Sequence, residues 1–92
     1  MSRHAHPDPA LAAALRHIRE ERGITREALA SRSDMTVNGL ARIEHGAVAP
    51  GWGTVRSLAA GLGVSLVELG AAVEGAPRVG RSDFRRSRFF RR

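Results

Sequence analysis

Along most of the chain, apolar residues recur three and four apart in short runs, and each run is bracketed by residues that start or stop a helix. Asp8-Pro9 puts an oxygen acceptor at an N-cap and a proline at the first helical position, where a missing N–H costs nothing. Leu11, Leu15, Ile18 and Arg22 follow at helical spacing until Gly23, which predicts a first helix over about 9–22. Thr25 caps the run REALASRS, with Glu27 near the positive end of the helix dipole and Ala28 and Leu29 on the apolar side, for a second helix over about 26–32. Ser33-Asp34 breaks the pattern, and Asp is one of the few residues besides glycine that tolerates a left-handed turn.

Thr36 opens a third helix, about 37–45, with Leu40 and Ile43 inward and Gly46 as its stop. AVAPGWG is a loop rich in helix breakers, after which Val55, Leu58, Ala59 and Leu62 mark a fourth helix ended by Gly63. SLVE is a reciprocal capping box, Ser65 with Glu68, and it opens a fifth helix through about Val73. No run has the period of a strand, so the expected fold class is all-α, a compact five-helix domain over residues 8–75. Residues 1–7 read as a flexible N-terminus. Residues 76–92 read as a disordered arginine-rich tail, because VGRSDFRRSRFFRR has too few apolar residues in any helical register to build a core.

Length and composition narrow the class of protein. A domain of roughly 60–70 residues buries only about 60% of its unfolded surface, so the core is thin. There is no cysteine, hence no disulfide framework and no thiolate metal site, which fits a reducing cytoplasm. The apolar stretches fall far short of the roughly 20 residues of a membrane span, and MSRHAHPDP lacks the apolar core of a signal peptide. The expectation is a soluble cytoplasmic protein with no membrane span. The net charge of +6 looks like a nucleic-acid signature until it is located. All 15 basic residues are arginine, and seven of them (78, 81, 85, 86, 88, 91 and 92) lie in the last fifteen positions against Asp83 alone. The rest of the chain holds eight arginines and eight acids, so an interface on the folded part has to be argued from placed residues.

Two short helices joined by a tight turn, Thr25 to about His45, have the dimensions of a helix-turn-helix, whose second helix lies in the DNA major groove. The residues resemble the phage-repressor and Cro-like (XRE-type) helix-turn-helix family over about 10–73. The family's R-x-x-x-G-[IL]-[ST] entry is matched by Arg19 to Thr25, its E-x-L-A by Glu27 to Ala30, and its [ST]-x-x-x-[IL]-x-x-[IL]-E-x-G by Thr36 to Gly46. Pro50 matches the loop proline, TVRSLAAGLGV the fourth helix and SLVEL the opening of the fifth. The resemblance implies a lambda-repressor-like DNA-binding domain.

It also implies roles for individual residues. Val37, Asn38, Ala41 and Arg42 fall where the family faces the major groove, and their register agrees, since they lie opposite Leu40 and Ile43. Asn38 can pair bidentately with adenine, Arg42 with guanine or a phosphate, and Val37 can pack on a thymine methyl. A solvated helix face is the bland alternative. Arg26 stands where the family usually has a glutamine on the phosphate backbone; its other reading is an exposed arginine paired with a nearby acid. Thr36 and Gly39 complete the candidate DNA-binding set, with Gly39 expected to allow close approach to the DNA backbone at a cost in helix stability. Arg19 and Glu44 resemble an internal pair tying the first helix to the third, a structural role. Trp52 either packs across a sugar or, the preferred expectation, lids the small core.

The chain departs from the family pattern at Ser33 and Asp34, where an apolar residue and a glycine are usual. Gly39, Gly51, Gly53 and Gly61 each lower helix propensity by up to roughly 1 kcal/mol relative to alanine when inside a helix. Marginal stability is therefore expected, supplemented by dimerisation or by binding of a partner or DNA. His4 and His6 form an H-x-H pair with no third ligand nearby in sequence, and His17 and His45 read as surface residues. No nucleophile, base and orienter occur at a recognisable spacing, and no phosphate-cradling loop is present, so no enzyme, metal or cofactor is expected. In the tail, Phe84, Phe89 and Phe90 interleave with arginine, which suits a DNA arm, an anionic membrane surface, an acidic partner or no function at all.

These readings converge on a sequence-specific transcription regulator, a repressor sooner than an activator. It would bind double-stranded DNA in the cytoplasm, associated with the nucleoid, as a homodimer through Leu66, Leu69 and Val73 of the fifth helix. The alternative is a protein-interaction module such as an antitoxin or adaptor, with a toxin or regulator as partner. RNA binding through the tail is a third reading.

Overall fold

Four of the five helices begin at a side chain that closes their first turn. In the computed structural model, which describes residues 6–75, Asp8 Oδ1 accepts the N–H of Ala10 at 2.9 Å and opens α1 (Pro9–Glu21). Thr25 Oγ1 accepts from Ala28 at 3.0 Å for α2 (Arg26–Arg32), and Thr36 Oγ1 from Gly39 at 2.9 Å for α3 (Val37–Glu44). α4 (Trp52–Leu62) starts at Gly51 without a side-chain cap. α5 (Leu66–Glu74) has the expected capping box, with Ser65 Oγ accepting from Glu68 N–H at 3.0 Å and Glu68 Oε1 accepting from Ser65 N–H at 2.8 Å. The described residues contain no strand. The expectations for residues 1–5, His4 among them, and for the tail from residue 76 lie outside the described residues.

Four of the five helices, α1 to α4, end in one geometry. Past α1, α3 and α4, a glycine with positive φ (Gly23, Gly46, Gly63) turns the chain back, and the next N–H bonds a carbonyl in the last turn, as Ile24 does to Arg19 and Ala47 to Arg42. These turns end α1 at Glu21 and α3 at Glu44, one residue earlier than the spacing predicts, with Arg22 and His45 as cap residues. α2 ends the same way without a glycine. Asp34 takes φ 56°, and Met35 N–H bonds Ala30 O at 2.9 Å, so the left-handed turn expected at Asp34 is present.

The core gathers around Leu15, Leu29, Leu40, Leu58 and Leu62, all fully buried, with one or more contributed by each of α1 to α4. α1 packs against α5 and α3, and α2 bridges α3 and α4. Gly61 marks a close approach of α4 to the end of α2. A Cβ there would lie 2.7 Å from Ser33 Oγ and 2.9 Å from Leu29 Cδ1, so the helix-weakening glycine is what allows α4 onto α2. Ser33 is buried and its hydroxyl donates to Ser57 O at 3.3 Å. Two arginines grip the carbonyl end of α4, which has no basic residue in its own last turn: Arg32 Nη1 donates to Gly61 O at 3.1 Å and Arg22 Nη1 to Leu62 O at 3.3 Å.

Two expectations are overturned. Trp52, the first residue of α4, is 65% exposed and is absent from the core, so it does not lid it. Leu69 is a core residue at 2% exposure, and Val73 packs against the core, so neither is a free association surface. The exposed apolar residues of α5 are Val67, at 81%, and Leu66. Among the described residues no single helix is long and apolar enough to cross a membrane; α4 and α5 together pass on composition but meet at 100°, and Leu58, Leu62 and Leu69 lie in the core.

Candidate nucleic-acid interface

The two faces of α3 have different chemistry because its buried residues, Leu40, Ile43 and Glu44, all fall on one side. Asn38 and Arg42, one helical turn apart, are exposed on the other, with Ala41 half-buried between them and Val37 38% exposed at the helix start. Thr36 is exposed, and its hydroxyl is engaged by the Gly39 N–H. His45, exposed and three residues beyond Arg42, joins the same face; the register alone would have placed it there. An amide, a guanidinium and an imidazole thus project from a rigidly seated helix.

Gly39 acquires a neighbour inside the protein. A Cβ would come within 3.0 Å of Thr36 Oγ1, so the capping hydroxyl would have to give by a few tenths of an ångström to admit alanine. The capping geometry is therefore a reason for a glycine at this position that lies within the protein itself.

Behind this face sits a charge cluster. Glu44 has a wholly buried carboxylate. Its Oε2 accepts from Arg19 Nε at 2.6 Å, and its Oε1 from Arg19 Nη2 at 3.0 Å and from Arg26 Nε at 3.2 Å. Arg19 spends its remaining edge on Ile24 O at 3.0 Å, which fixes the turn between α1 and α2. The hydrogen bonds that Arg19 donates to Glu44 raise the Arg19 pKa above its ordinary value, against the opposing effect of burial, so the guanidinium stays charged. Removing Glu44 strands the buried Arg19 guanidinium, at a cost on the order of 3–5 kcal/mol if it is fully desolvated. The pair ties α1 to the last residue of α3. Arg26 does have an acid partner, but that partner comes from α3, eighteen residues on, where no local spacing rule could find it.

The described residues contain no group of three or more His, Asp or Glu side chains placed to hold a metal ion. A family profile described as a helix-turn-helix domain matches residues 10–72. No curated protein matches in sequence. Among solved structures, the clp gene regulator ClgR from Corynebacterium glutamicum is 28% identical, with a TM-score of 0.73 over 78% of this chain and 94% of that one. The restriction-modification controller protein C.Esp1396I, solved as a tetramer in complex with its natural 35 base-pair operator, is 25% identical, with a TM-score of 0.69 over 71% of this chain and 86% of that one. The controller protein C.AhdI from Aeromonas hydrophila shares the fold at 24% identity and a TM-score of 0.64, over 66% of this chain and 92% of its own.

Proposed function

Because the chain belongs to the helix-turn-helix domain family, whose members are DNA-binding transcription regulators of the XRE type and not enzymes, we propose that it reads a duplex operator by docking α3 in the major groove. The observation that carries this is the exposed pair Asn38 and Arg42 on a helix whose other face is held by Leu40, Ile43 and the ion-paired Glu44. Asn38 and Arg42 supply base-edge hydrogen bonds, Val37 and Ala41 apolar contact, and Thr36, Gly39 and Arg26 border the backbone. The protein acts in the cytoplasm on the nucleoid as a homodimer, with Val67 and Leu66 of α5 as its association surface in place of Leu69. Repression is the favoured output, since a groove-bound domain excludes other proteins from the same DNA.

Selection of bound fragments from random duplex DNA at stated salt yields the operator. Asn38→Ala and Arg42→Ala then each lower operator affinity by about 1–3 kcal/mol and relax preference at one base position. Variants that stay folded and bind as tightly as the parent would remove base readout by α3. The interaction-module reading is favoured by one observation, the 65% exposed Trp52. As the only tryptophan it reports on its own surroundings, and a protein partner that shifts its emission in the absence of DNA supports that second reading.

A further inference from the structure

Glu44 carries more than the contact with Arg19 requires. Arg19 alone meets both carboxylate oxygens, at 2.6 and 3.0 Å, and neutralises the buried charge. Arg26 is a second cation on the same carboxylate, held through Nε alone at 3.2 Å. Its side chain is 33% exposed against 10% for Arg19. Glu20 reaches only Arg19, at 3.8 Å and from solvent, and among the described residues no carboxylate other than Glu44 forms an ion pair with Arg26. Nε is thus engaged with an inward anion, and neither terminal nitrogen of Arg26 has a protein acceptor among the described residues. A guanidinium offers donors in a fixed planar fork, so holding Nε also sets the direction of the outer edge, the edge that fits two oxygens of a phosphate.

We propose that Glu44 is a positioning residue for a DNA phosphate contact made by Arg26. The inference rests on the DNA-docking reading above and deepens it. Because Glu44 is the last residue of α3, the clamp on the backbone is fixed to the reading helix itself as well as to α2. The register of Asn38 and Arg42 against the bases and the grip on the phosphate are set by one buried carboxylate. A lysine at 26 cannot reproduce this, since one ammonium cannot face Glu44 and a phosphate with separate donors in a fixed plane. Nor can a glutamine, which has no charge to give.

The test is a double-mutant cycle on the full chain, with binding to the selected operator and to a scrambled duplex of equal length measured across a salt series. Arg26→Gln should lower the log-log salt slope by about 0.9 for each protomer contact, equally on both duplexes. Arg26→Lys should weaken operator binding about tenfold at fixed salt, one charge-assisted contact. Glu44→Gln should weaken DNA binding clearly more when Arg26 is intact than when combined with Arg26→Gln, because its route through the Arg26 guanidinium is then gone and only the part carried by Arg19 remains. A purely structural Glu44 acts through Arg19 and costs the same in both backgrounds, which overturns the proposal. An unchanged salt slope for Arg26→Gln also overturns it, as does parent-like binding by Arg26→Lys, the outcome that decides if Glu44→Gln does not fold. If the parent binds no duplex, this inference and the docking reading fall together. If Asn38→Ala and Arg42→Ala lose operator preference while Arg26→Gln keeps its slope, only this inference falls.

Discussion

Asp34 occupies a conformation that three glycines fill at the other comparable turns. Its φ of 56° is tolerated because Asp is short and polar, but a Cβ in the left-handed region still carries a cost that glycine avoids. Asp34→Gly should therefore stabilise the domain by about 0.5–1 kcal/mol, read as an upward shift in the urea midpoint with an unchanged m-value. At this scale the sequence is informative wherever a residue's role depends on near neighbours. Thr25, Thr36 and Ser65 cap helices and Asp34 turns left-handed where their types suggest. Trp52 and Arg26 escape such reasoning because their surroundings are supplied by distant segments: the loop leaves Trp52 uncovered, and α3 provides the acid for Arg26.

Among the helices, α5 shows how an end can respond to pH. The Ser65 backbone N–H, donating to Glu68, holds that carboxyl below its ordinary value of 4.5. A group with a lowered folded-state pKa stabilises fully above its unfolded value and loses that contribution as pH falls through the folded one. The parent should thus become more sensitive to urea as pH drops below about 4.5, and Glu68→Gln should show a shallower loss over that range. All five helices were legible because their starts, stops and apolar spacing are local. Their ends moved by one residue where a left-handed turn drew the boundary, and the fit of Gly61 to Ser33 was invisible because it belongs to two helices at once.

For the molecule as a whole, the question is what covers the apolar surface of α5. Val67 at 81% exposure is the largest apolar liability on that helix, and its register turns it away from Leu69 and the core. Val67→Glu should leave the monomer fold intact, shift sedimentation towards the monomer and weaken operator binding by lost dimer linkage. A variant that stays dimeric would send the search for the interface elsewhere. The fold was readable at this scale because apolar spacing and the helix-turn-helix residues agree; which apolar residues of α5 stay exposed was not, because Leu66, Val67 and Leu69 are equally apolar in sequence and only packing against α1 and α4 separates them.

Ser33 and Gly61 share one small volume between α2 and α4, and this has a consequence for engineering towards the family pattern. Neighbouring substitutions with the same rationale should have opposite signs. Restoring the usual glycine at 34 relieves a backbone conformation, whereas restoring a bulky apolar side chain at 33 drives it into the backbone of α4 at Gly61. Ser33→Leu should lower stability by about 1–3 kcal/mol in a thermal melt. Since glycine has nothing left to remove, position 61 cannot compensate, and the path back to the more usual arrangement is closed unless the two helices first move apart.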